Sequence, residues 1–162
     1  MKLFKEEVLQ DLGKQLIARK ETIAVAESVT SGAIQLAIST IMEASKFFQG
    51  GMTAYNIGQK YAHLKVEPIH AQQVNCVSEQ VAEQMALNVS VLFNSDWGLG
   101  ITGYGTPVPE SDDQVFAFYA IAFRGEIRKA GKMNPSLDET LNLQLYFANE
   151  LLTMLTDLTK SA

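Results

Sequence analysis

The sequence predicts an α/β fold: a single three-layer domain with a mixed, mainly parallel sheet, flanking helices and a late β-hairpin. Short apolar segments alternate with segments of helical spacing through the first two thirds of the chain, which is typical of strands joined through helices. Two later strand-like segments are separated only by Arg124-Gly125 and therefore indicate a hairpin. The length of 162 residues suits one domain, so we expect the order α-β-α-β-α-β-β-β-α within a single domain over residues 1–162.

Apolar periodicity predicts the elements of the first half. In the first segment Leu, Val and Ile recur at helical spacing with Lys and Glu between them, as in an amphipathic helix. The next segment, "TIAVA", is short and rich in small and β-branched residues, as suits a strand covered on both faces. These patterns predict a helix over 3–19, a strand over 22–26, a helix over 31–42 and a strand over 50–56, whereas residues 59–73 are only weakly patterned.

Caps and turn residues divide the second half. Ser78 stands before a helical pattern as an N-cap, and Glu79 follows in the first turn, where a carboxylate is favoured. The apolar segment 115–123 could be a central strand or a subunit interface, and the pattern does not choose between them. We expect a helix over 79–93, a strand over 97–104, a loop over 105–114, hairpin strands over 115–123 and 126–133, and a closing helix over 136–158.

Composition narrows the classes of function. The net charge of -5 and the pI near 5.0 argue against a general electrostatic grip on nucleic acid, because phosphate backbones are held mainly by Lys and Arg. The longest apolar run has nine residues, against roughly 20 for a membrane-spanning helix. The start of the chain lacks the apolar core of a secretory signal. We therefore expect a cytoplasmic protein that acts on a small molecule, without a nucleic-acid or membrane partner.

Cysteine and histidine are scarce. Cys76 is the only cysteine, so it has no partner for an intramolecular disulfide, and His63 and His70 are the only histidines. We therefore expect no metal site. A catalytic Cys–His pair is formally conceivable, but a free cysteine is more often a small core residue.

Small polar and reactive residues follow three of the predicted strands. Because ligands of α/β proteins bind beyond the carboxyl ends of the strands, we expect these residues to surround one crevice. At the first strand end the backbone could offer free N–H groups to an anion, or Ser28, Thr30 or Ser31 could simply cap the next helix. The candidates are Glu27, Ser28, Thr30, Ser31 and Gly32 in the first cluster, Tyr55, Asn56 and Lys60 in the second, and Thr102, Gly103, Tyr104 and Gly105 in the third.

The residue types in these clusters allow Ser-Lys chemistry. A serine hydroxyl is a weak nucleophile until a base removes its proton, and a lysine kept neutral by burial can be that base where histidine is scarce. A nearby tyrosine could relay the proton or orient the leaving group. Ser28, Lys60 and Tyr55 would fill these roles.

The clusters together resemble the C-terminal domain of the competence/damage-inducible protein CinA, a family that includes standalone nicotinamide mononucleotide (NMN) deamidases. That family has the motifs A-E-S-C-T-G-G, Y-S-N-x-x-K, G-A-V-S and T-G-I-A-G-P in this order. The corresponding stretches here are "AESVTSG" at 26–32, "YNIGQK" at 55–60, "NCVS" at 75–78 and "TGYGTP" at 102–107. The resemblance covers about residues 5–125.

The resemblance implies an activity and a set of site residues. The activity is hydrolysis of NMN to nicotinic acid mononucleotide and ammonia, without a metal or other cofactor, in a homo-oligomer that serves NAD salvage. Ser28 would be the nucleophile, Lys60 the general base, and Tyr55 a positioning or proton-handling partner. The substrate-binding residues, some through their backbone around the oxyanion, would be Glu27, Thr30, Ser31, Gly32, Asn56, Thr102, Gly103, Tyr104 and Gly105.

The sequence departs from the family pattern inside the first motif. Val29 replaces a cysteine. Ser31 replaces the first glycine of a pair, so a side chain stands where the backbone could need a positive φ.

Further departures lie where a phosphate should bind. The glycine-rich segments that follow the third strand in the family are replaced by one containing Asp112 and Asp113. Asp138 stands near the position of a family arginine. Carboxylates repel a phosphate and arginine pairs with it. Two alternatives to NMN hydrolysis follow: a paralogue that acts on another amide or nucleoside, and a non-catalytic nucleotide-binding or assembly module.

Overall fold

The computed structural model describes residues 2–136 and 139–161, which form one five-stranded sheet and six α-helices. Two 3₁₀ helices, Ala44–Lys46 and Pro109–Ser111, lie in the connections. The strands are β1 (Ile23–Glu27), β2 (Phe48–Thr53), β3 (Trp97–Tyr104), β4 (Phe116–Phe123) and β5 (Glu126–Met133). The helices are α1 (Glu6–Arg19), α2 (Ala33–Ser39), α3 (Ile57–Leu64), α4 (Pro68–Gln73), α5 (Glu79–Leu92) and α6 (Thr140–Ser161).

The sheet has the strand order β2-β1-β3-β4-β5. β1 pairs in parallel with both β2 and β3, and β4 pairs antiparallel with both β3 and β5. Four of the five strands therefore run in one direction, and β4 runs against them. This confirms the mixed α/β sheet and the late hairpin expected from the sequence. It also settles the segment 115–123, because β4 lies inside the sheet between β3 and β5.

Helices cover both faces of the sheet. Alternation along β1 sends Ile23 and Val25 into a core shared with α1, α2 and α6, and sends Ala24 and Ala26 into a core shared with α3, α4 and α5. A strand buried on both faces is apolar at every position, as "IAVA" is. The carboxyl ends of β1 and β3 consequently meet at one edge between two helical layers.

Glycines let α5 approach β3 closely. A Cβ added at Gly100 would lie 2.6 Å from the Ala86 amide nitrogen and inside the contact distance of the Ala82 carbonyl oxygen. Gly98 faces the next turn of the same helix in the same way. The backbone of α5 thus packs directly on the strand, and no side chain fits between them.

We expect Gly100→Ala to destabilise the protein by about 3 kcal/mol, because rigid helix backbone must move to admit the methyl group. Urea denaturation measures this effect. Gly58→Ala is the matched control, since a Cβ at that helical position meets only Asn56 Oδ1 at an ordinary 3.5 Å. Alanine should leave that site neutral or slightly more stable. Equal stability of the two variants would contradict the close packing.

The structure corrects several predicted element boundaries. The weakly patterned region contains α4 and most of α3, which the sequence analysis missed because helices of six and eight residues are shorter than the window of about 11 to 18 residues over which helical periodicity is recognised. The strand predicted over 50–56 runs from Phe48 to Thr53, and the helix predicted over 31–42 begins only at Ala33. The first and last helices span Glu6–Arg19 and Thr140–Ser161.

The α-helices of the described residues range from six to 22 residues in length. None of them combines the length and the apolar character that a membrane-spanning helix needs.

Candidate active site

The junction between β1 and α2 holds Ser28 at the end of the central strand. β1 ends at Glu27, and the chain turns through Ser31 (φ 49°) and Gly32 (φ 100°) before α2 begins. A positive φ therefore does occur at Ser31, as its place in the motif suggested. The turn leaves Ser28 only 7% exposed. Its hydroxyl lies at the carboxyl edge of the sheet, where ligands of α/β proteins bind.

The Glu27 carboxylate occupies the N-terminus of α2. Its Oε1 accepts hydrogen bonds from Thr30 Oγ1 (2.6 Å) and the Ile34 amide (2.9 Å). Its Oε2 accepts from the Gln35 amide (2.9 Å) and Gln35 Nε2 (3.0 Å). The capping interpretation of this helix start is thus corrected. The Ile34 and Gln35 amides are not free for an external anion, and the side chain that accepts from them is Glu27 rather than a serine or threonine, while Gly32 stands at the N-cap position.

α3 carries Lys60 back to Ser28. Asn56 begins the helix as its N-cap, with Oδ1 accepting from the Gln59 amide at 3.0 Å. One turn later Lys60 points inward and is only 2% exposed. Its Nζ lies 2.9 Å from Ser28 Oγ and 2.9 Å from the Ala54 carbonyl oxygen. The structure therefore brings together the two residues that the sequence nominated as nucleophile and base.

Burial lowers the pKa of Lys60 from the ordinary lysine value of 10.5, because a charged ammonium loses its hydration there. The Cys76 side chain opposes this shift to a smaller extent. Burial in turn raises the pKa of the Cys76 thiol, and Lys60 only partly offsets it. A protonated thiol is a poor counter-ion, so the environment favours the neutral amine that a general base requires.

Ser28 and Lys60 lie in a cleft of about 470 Å³. Tyr55, Asn56 and Thr102 line the same cleft, as does the segment 103–105. The predicted site residues Glu27, Thr30, Ser31 and Gly32 are not among its lining residues in the described part of the chain. Glu27 and Thr30 are buried behind Ser28, and Ser31 is exposed.

Tyr55 stands apart from the Ser28–Lys60 pair. It is 66% exposed on the wall of the cleft. Within residues 2–136 and 139–161 the hydroxyl of Tyr55 makes no hydrogen bond to Ser28 or Lys60. The ring can therefore contact a ligand in the cleft without being part of the pair.

The end of β3 builds the opposite wall. Thr102 Oγ1 donates to the Cys76 carbonyl oxygen at 2.7 Å, which ties β3 to the segment after α4. Gly103 admits no Cβ, since one would lie 2.7 Å from Ala117 Cα on the neighbouring strand. Tyr104 packs edge-on against Phe116, with ring centroids 5.4 Å apart.

The sequence analysis missed other lining residues. Gln72, Asn75 and Cys76 come from α4 and the turn after it, in the region where no helix was predicted. The motif "NCVS" was the only signal for that turn. Gln144 of α6 also lines the cleft and donates from Nε2 to the Val29 carbonyl oxygen at 3.1 Å. No local pattern connected the closing helix with the site.

Two of the acidic residues noted in the sequence lie outside the cleft, and no metal-binding cluster occurs in the described residues. Asp112 and Asp113 are exposed and do not line the cleft, and Asp138 lies outside the described residues. Within residues 2–136 and 139–161, no group of three or more His, Cys, Asp or Glu side chains could hold a metal ion. In that part of the chain the lining residues offer hydroxyl, amide, thiol and amine groups.

Comparison with known proteins assigns the family. The model of the CinA C-terminal domain matches residues 5–156. CinA-like proteins of Picosynechococcus sp. and Prochlorococcus marinus are 44% identical over 102 residues (63% of this chain and 24% of theirs) and 30% identical over 129 residues (80% of this chain and 30% of theirs). The chain thus spans about a quarter to a third of the length of these curated relatives.

Solved structures agree with the fold. A CinA superfamily protein from Klebsiella pneumoniae superposes with a TM-score of 0.86 at 22% identity, covering 96% of this chain and 98% of that chain. A competence/damage inducible protein from Agrobacterium tumefaciens gives a TM-score of 0.81 at 23% identity, covering 98% of this chain and 99% of that chain. Because the family model matches residues 5–156, nearly the whole chain, the protein belongs to the CinA C-terminal domain family.

Proposed function

We propose that this protein is an amidohydrolase that uses Ser28 as nucleophile and Lys60 as general base. Its substrate would be the carboxamide of a pyridine nucleotide or a related compound, with NMN as the family's own example. The observation that carries the proposal is the 2.9 Å separation of Lys60 Nζ and Ser28 Oγ, in a cleft and with both residues buried. A nucleophile and a base within hydrogen-bond reach are the signature of covalent catalysis.

The first half of the reaction would form an acyl-enzyme. Neutral Lys60 Nζ takes the Ser28 proton as Oγ attacks the amide carbon, giving a tetrahedral intermediate with a negative oxygen. The intermediate collapses when Lys60 returns that proton to the amide nitrogen. The C–N bond breaks, ammonia leaves, and Ser28 is left as an ester.

The second half would release the acid. Lys60 takes a proton from water, whose oxygen attacks the ester carbon. The proton then goes to Ser28 Oγ as the C–O bond to the enzyme breaks. The net change is one amide and one water converted into one carboxylic acid and one ammonia, with Ser28 and Lys60 restored.

The turn after Ser28 supplies candidate donors for the negative oxygen. The amides of Val29 and Thr30 follow the nucleophile directly and take part in no hydrogen bond within the described residues. Backbone donors held by a rigid turn stabilise such charge at little reorganisation cost. The turn is held by Glu27 on one side and by the bond from Gln144 to the Val29 carbonyl on the other.

Ser28→Ala should reduce amide hydrolysis by at least about 10³-fold, because the acyl-enzyme cannot form. The purified chain is incubated with NMN and with nicotinamide riboside, and ammonia and the corresponding acid are followed. Ser39→Ala is the matched control, since the Ser39 hydroxyl bonds only its own helix, to the Leu36 carbonyl, in an exposed position. Hydrolysis that survives Ser28→Ala would remove the proposed nucleophile. Ligand-induced stabilisation without product would instead support a non-catalytic binding module.

A further inference from the structure

The cleft offers a phosphate almost no positive charge. Among its lining residues in the described part of the chain, Lys60 is the only Lys or Arg. That side chain is 2% exposed and its Nζ is already bound to Ser28 Oγ and the Ala54 carbonyl oxygen. A phosphate is usually paired with Arg or Lys or with a free helix N-terminus. Lys60 is committed to the nucleophile, so the amine cannot also serve as the phosphate partner.

A side chain of the chain itself lies at the N-termini of α2, α3 and α6 beside the cleft, and two of these three side chains are carboxylates. The amides at the start of α2 bind the Glu27 carboxylate, and the Gln59 amide of α3 binds Asn56 Oδ1. Directly before α6 stands Glu139, whose Oε2 accepts from Asn142 Nδ2 at 3.0 Å in the first turn. A carboxylate at a helix start uses the favourable field there and repels a second anion.

Tyrosine rings form two sides of the same cleft. Tyr104 is held in place, because its hydroxyl accepts from Asn75 Nδ2 at 3.0 Å and its ring packs against that of Phe116. Tyr55 lines the cleft with its ring exposed. A preset aromatic wall favours a flat ring, and its negative π-face favours a cationic one such as an N-substituted pyridinium.

Amide side chains also line the cleft. Gln72 and Asn75 carry neutral donors and acceptors, which suit hydroxyl groups such as those of a ribose. The cleft volume of about 470 Å³ is in the range that accepts a nucleoside-sized ligand. We propose that the site takes a pyridine carboxamide without a phosphate, as the N-ribosyl nucleoside, and discriminates against its phosphorylated form. This inference rests on the proposed amidohydrolase function for the reaction, but its binding part can be tested separately.

The test compares nicotinamide riboside with NMN, which differ only by the phosphate. With the purified full chain, kcat/KM for ammonia release from the riboside should exceed that from NMN by at least tenfold. The same pair is then given to Gln72→Arg, which places a cation on the cleft wall, and to Gln73→Arg, the neighbouring exposed residue that does not line the cleft. Only Gln72→Arg should shift the preference toward NMN.

A variant of the aromatic wall tests the second part of the proposal. Tyr104→Leu should raise KM for the riboside by about tenfold with a smaller change in kcat, because the flat contact surface is lost. Tyr104→Phe keeps the ring and loses only the bond from Asn75, so its KM should stay near that of the wild type. An equal rise in both variants would mean that the Asn75 bond, rather than the ring, supports binding.

The outcomes separate the substrate class from the reaction. Equal or better hydrolysis of NMN overturns the inference and leaves the hydrolase intact. If neither compound is hydrolysed, the thermal midpoint is measured with each of them. A rise with the riboside alone then supports the ligand class and overturns the proposed reaction. No hydrolysis and no rise with either compound overturns both.

Discussion

Replacement of Lys60 by methionine is expected to abolish amide hydrolysis and to make the protein more stable at neutral pH. The loss of activity should be at least about 10³-fold, because Ser28 would have no group within reach to take its proton. The gain in stability has a separate cause. Lysine and methionine have similar length, and methionine removes the cost of holding an ionisable amine at 2% exposure.

The pH dependence follows from the lowered pKa of Lys60. Between the folded pKa and the ordinary value of 10.5 the unfolded chain binds more protons at this residue than the folded chain does. The free energy of unfolding of the wild type should therefore rise with pH through that window. Below the folded pKa the full penalty is present, and Lys60→Met should lose this part of the pH dependence.

Activity should follow the same ionisation. The rate kcat/KM should rise with pH as the buried amine loses its proton, with an apparent pKa below 10.5. Lys60→Arg provides the sharp comparison, since a guanidinium keeps the positive charge but cannot act as a base. If Lys60→Arg retained turnover, the role of Lys60 would be electrostatic instead.

Two measurements check this set of expectations, ammonia release across pH and urea denaturation across pH. Both are repeated for Lys14→Met, a matched change at an exposed position of α1. The control should keep both the activity and the pH dependence of the wild type. A Lys60→Met protein with wild-type turnover would remove Lys60 from the reaction.

Strands were the most predictable part of this fold. β1 and β3 are buried on both faces, so their apolar runs could be recognised without their partners. Helix α3 could not be recognised in this way, because it has eight residues and buries only Lys60 and Leu64. One of those two buried residues is a lysine, which a hydrophobic pattern counts as exposed. The buried lysine that weakened the hydrophobic pattern of α3 is thus the proposed base.

The site was predictable only in part for a related reason. Ser28 and Tyr55 follow strands, so topology alone puts them at one edge of the sheet. The 2.9 Å contact of Lys60 depends on the N-cap by Asn56 and on the turn of α3 that follows. Gln144 and Cys76 reach the cleft from elements distant in the sequence, and no local pattern marks such contacts.

Glu27 belongs to the motif of the proposed site, but its side chain has a structural role. The sequence grouped its carboxylate with the substrate-binding residues. In the structure it has no solvent exposure and accepts four hydrogen bonds from three residues, Thr30, Ile34 and Gln35. It therefore fixes the turn that carries Ser28, and it acts on the proposed chemistry through that turn.

Glu27→Ala should lower the free energy of unfolding by about 4 kcal/mol, because it leaves two helix amides and the Thr30 hydroxyl without their acceptor in a buried position. Glu27→Gln should cost less, about 2 kcal/mol, since one oxygen can still accept two bonds while the new amide group faces the other two donors. Urea denaturation of both variants measures the difference.

The two substitutions also separate the charge of Glu27 from its shape. Because Glu27→Gln keeps the size of the side chain, any fall in its hydrolytic rate reports a displaced Ser28 rather than a cavity. We expect that fall to be about tenfold, and to appear in kcat, because Glu27 does not line the cleft. Glu126→Gln, an exposed carboxylate on β5, is the control and should change neither quantity. If Glu27→Gln were as stable and as active as the wild type, the carboxylate would not hold the junction, and the position of Ser28 would depend on its other contacts, such as the bond from Lys60 and the bond from Gln144 to Val29.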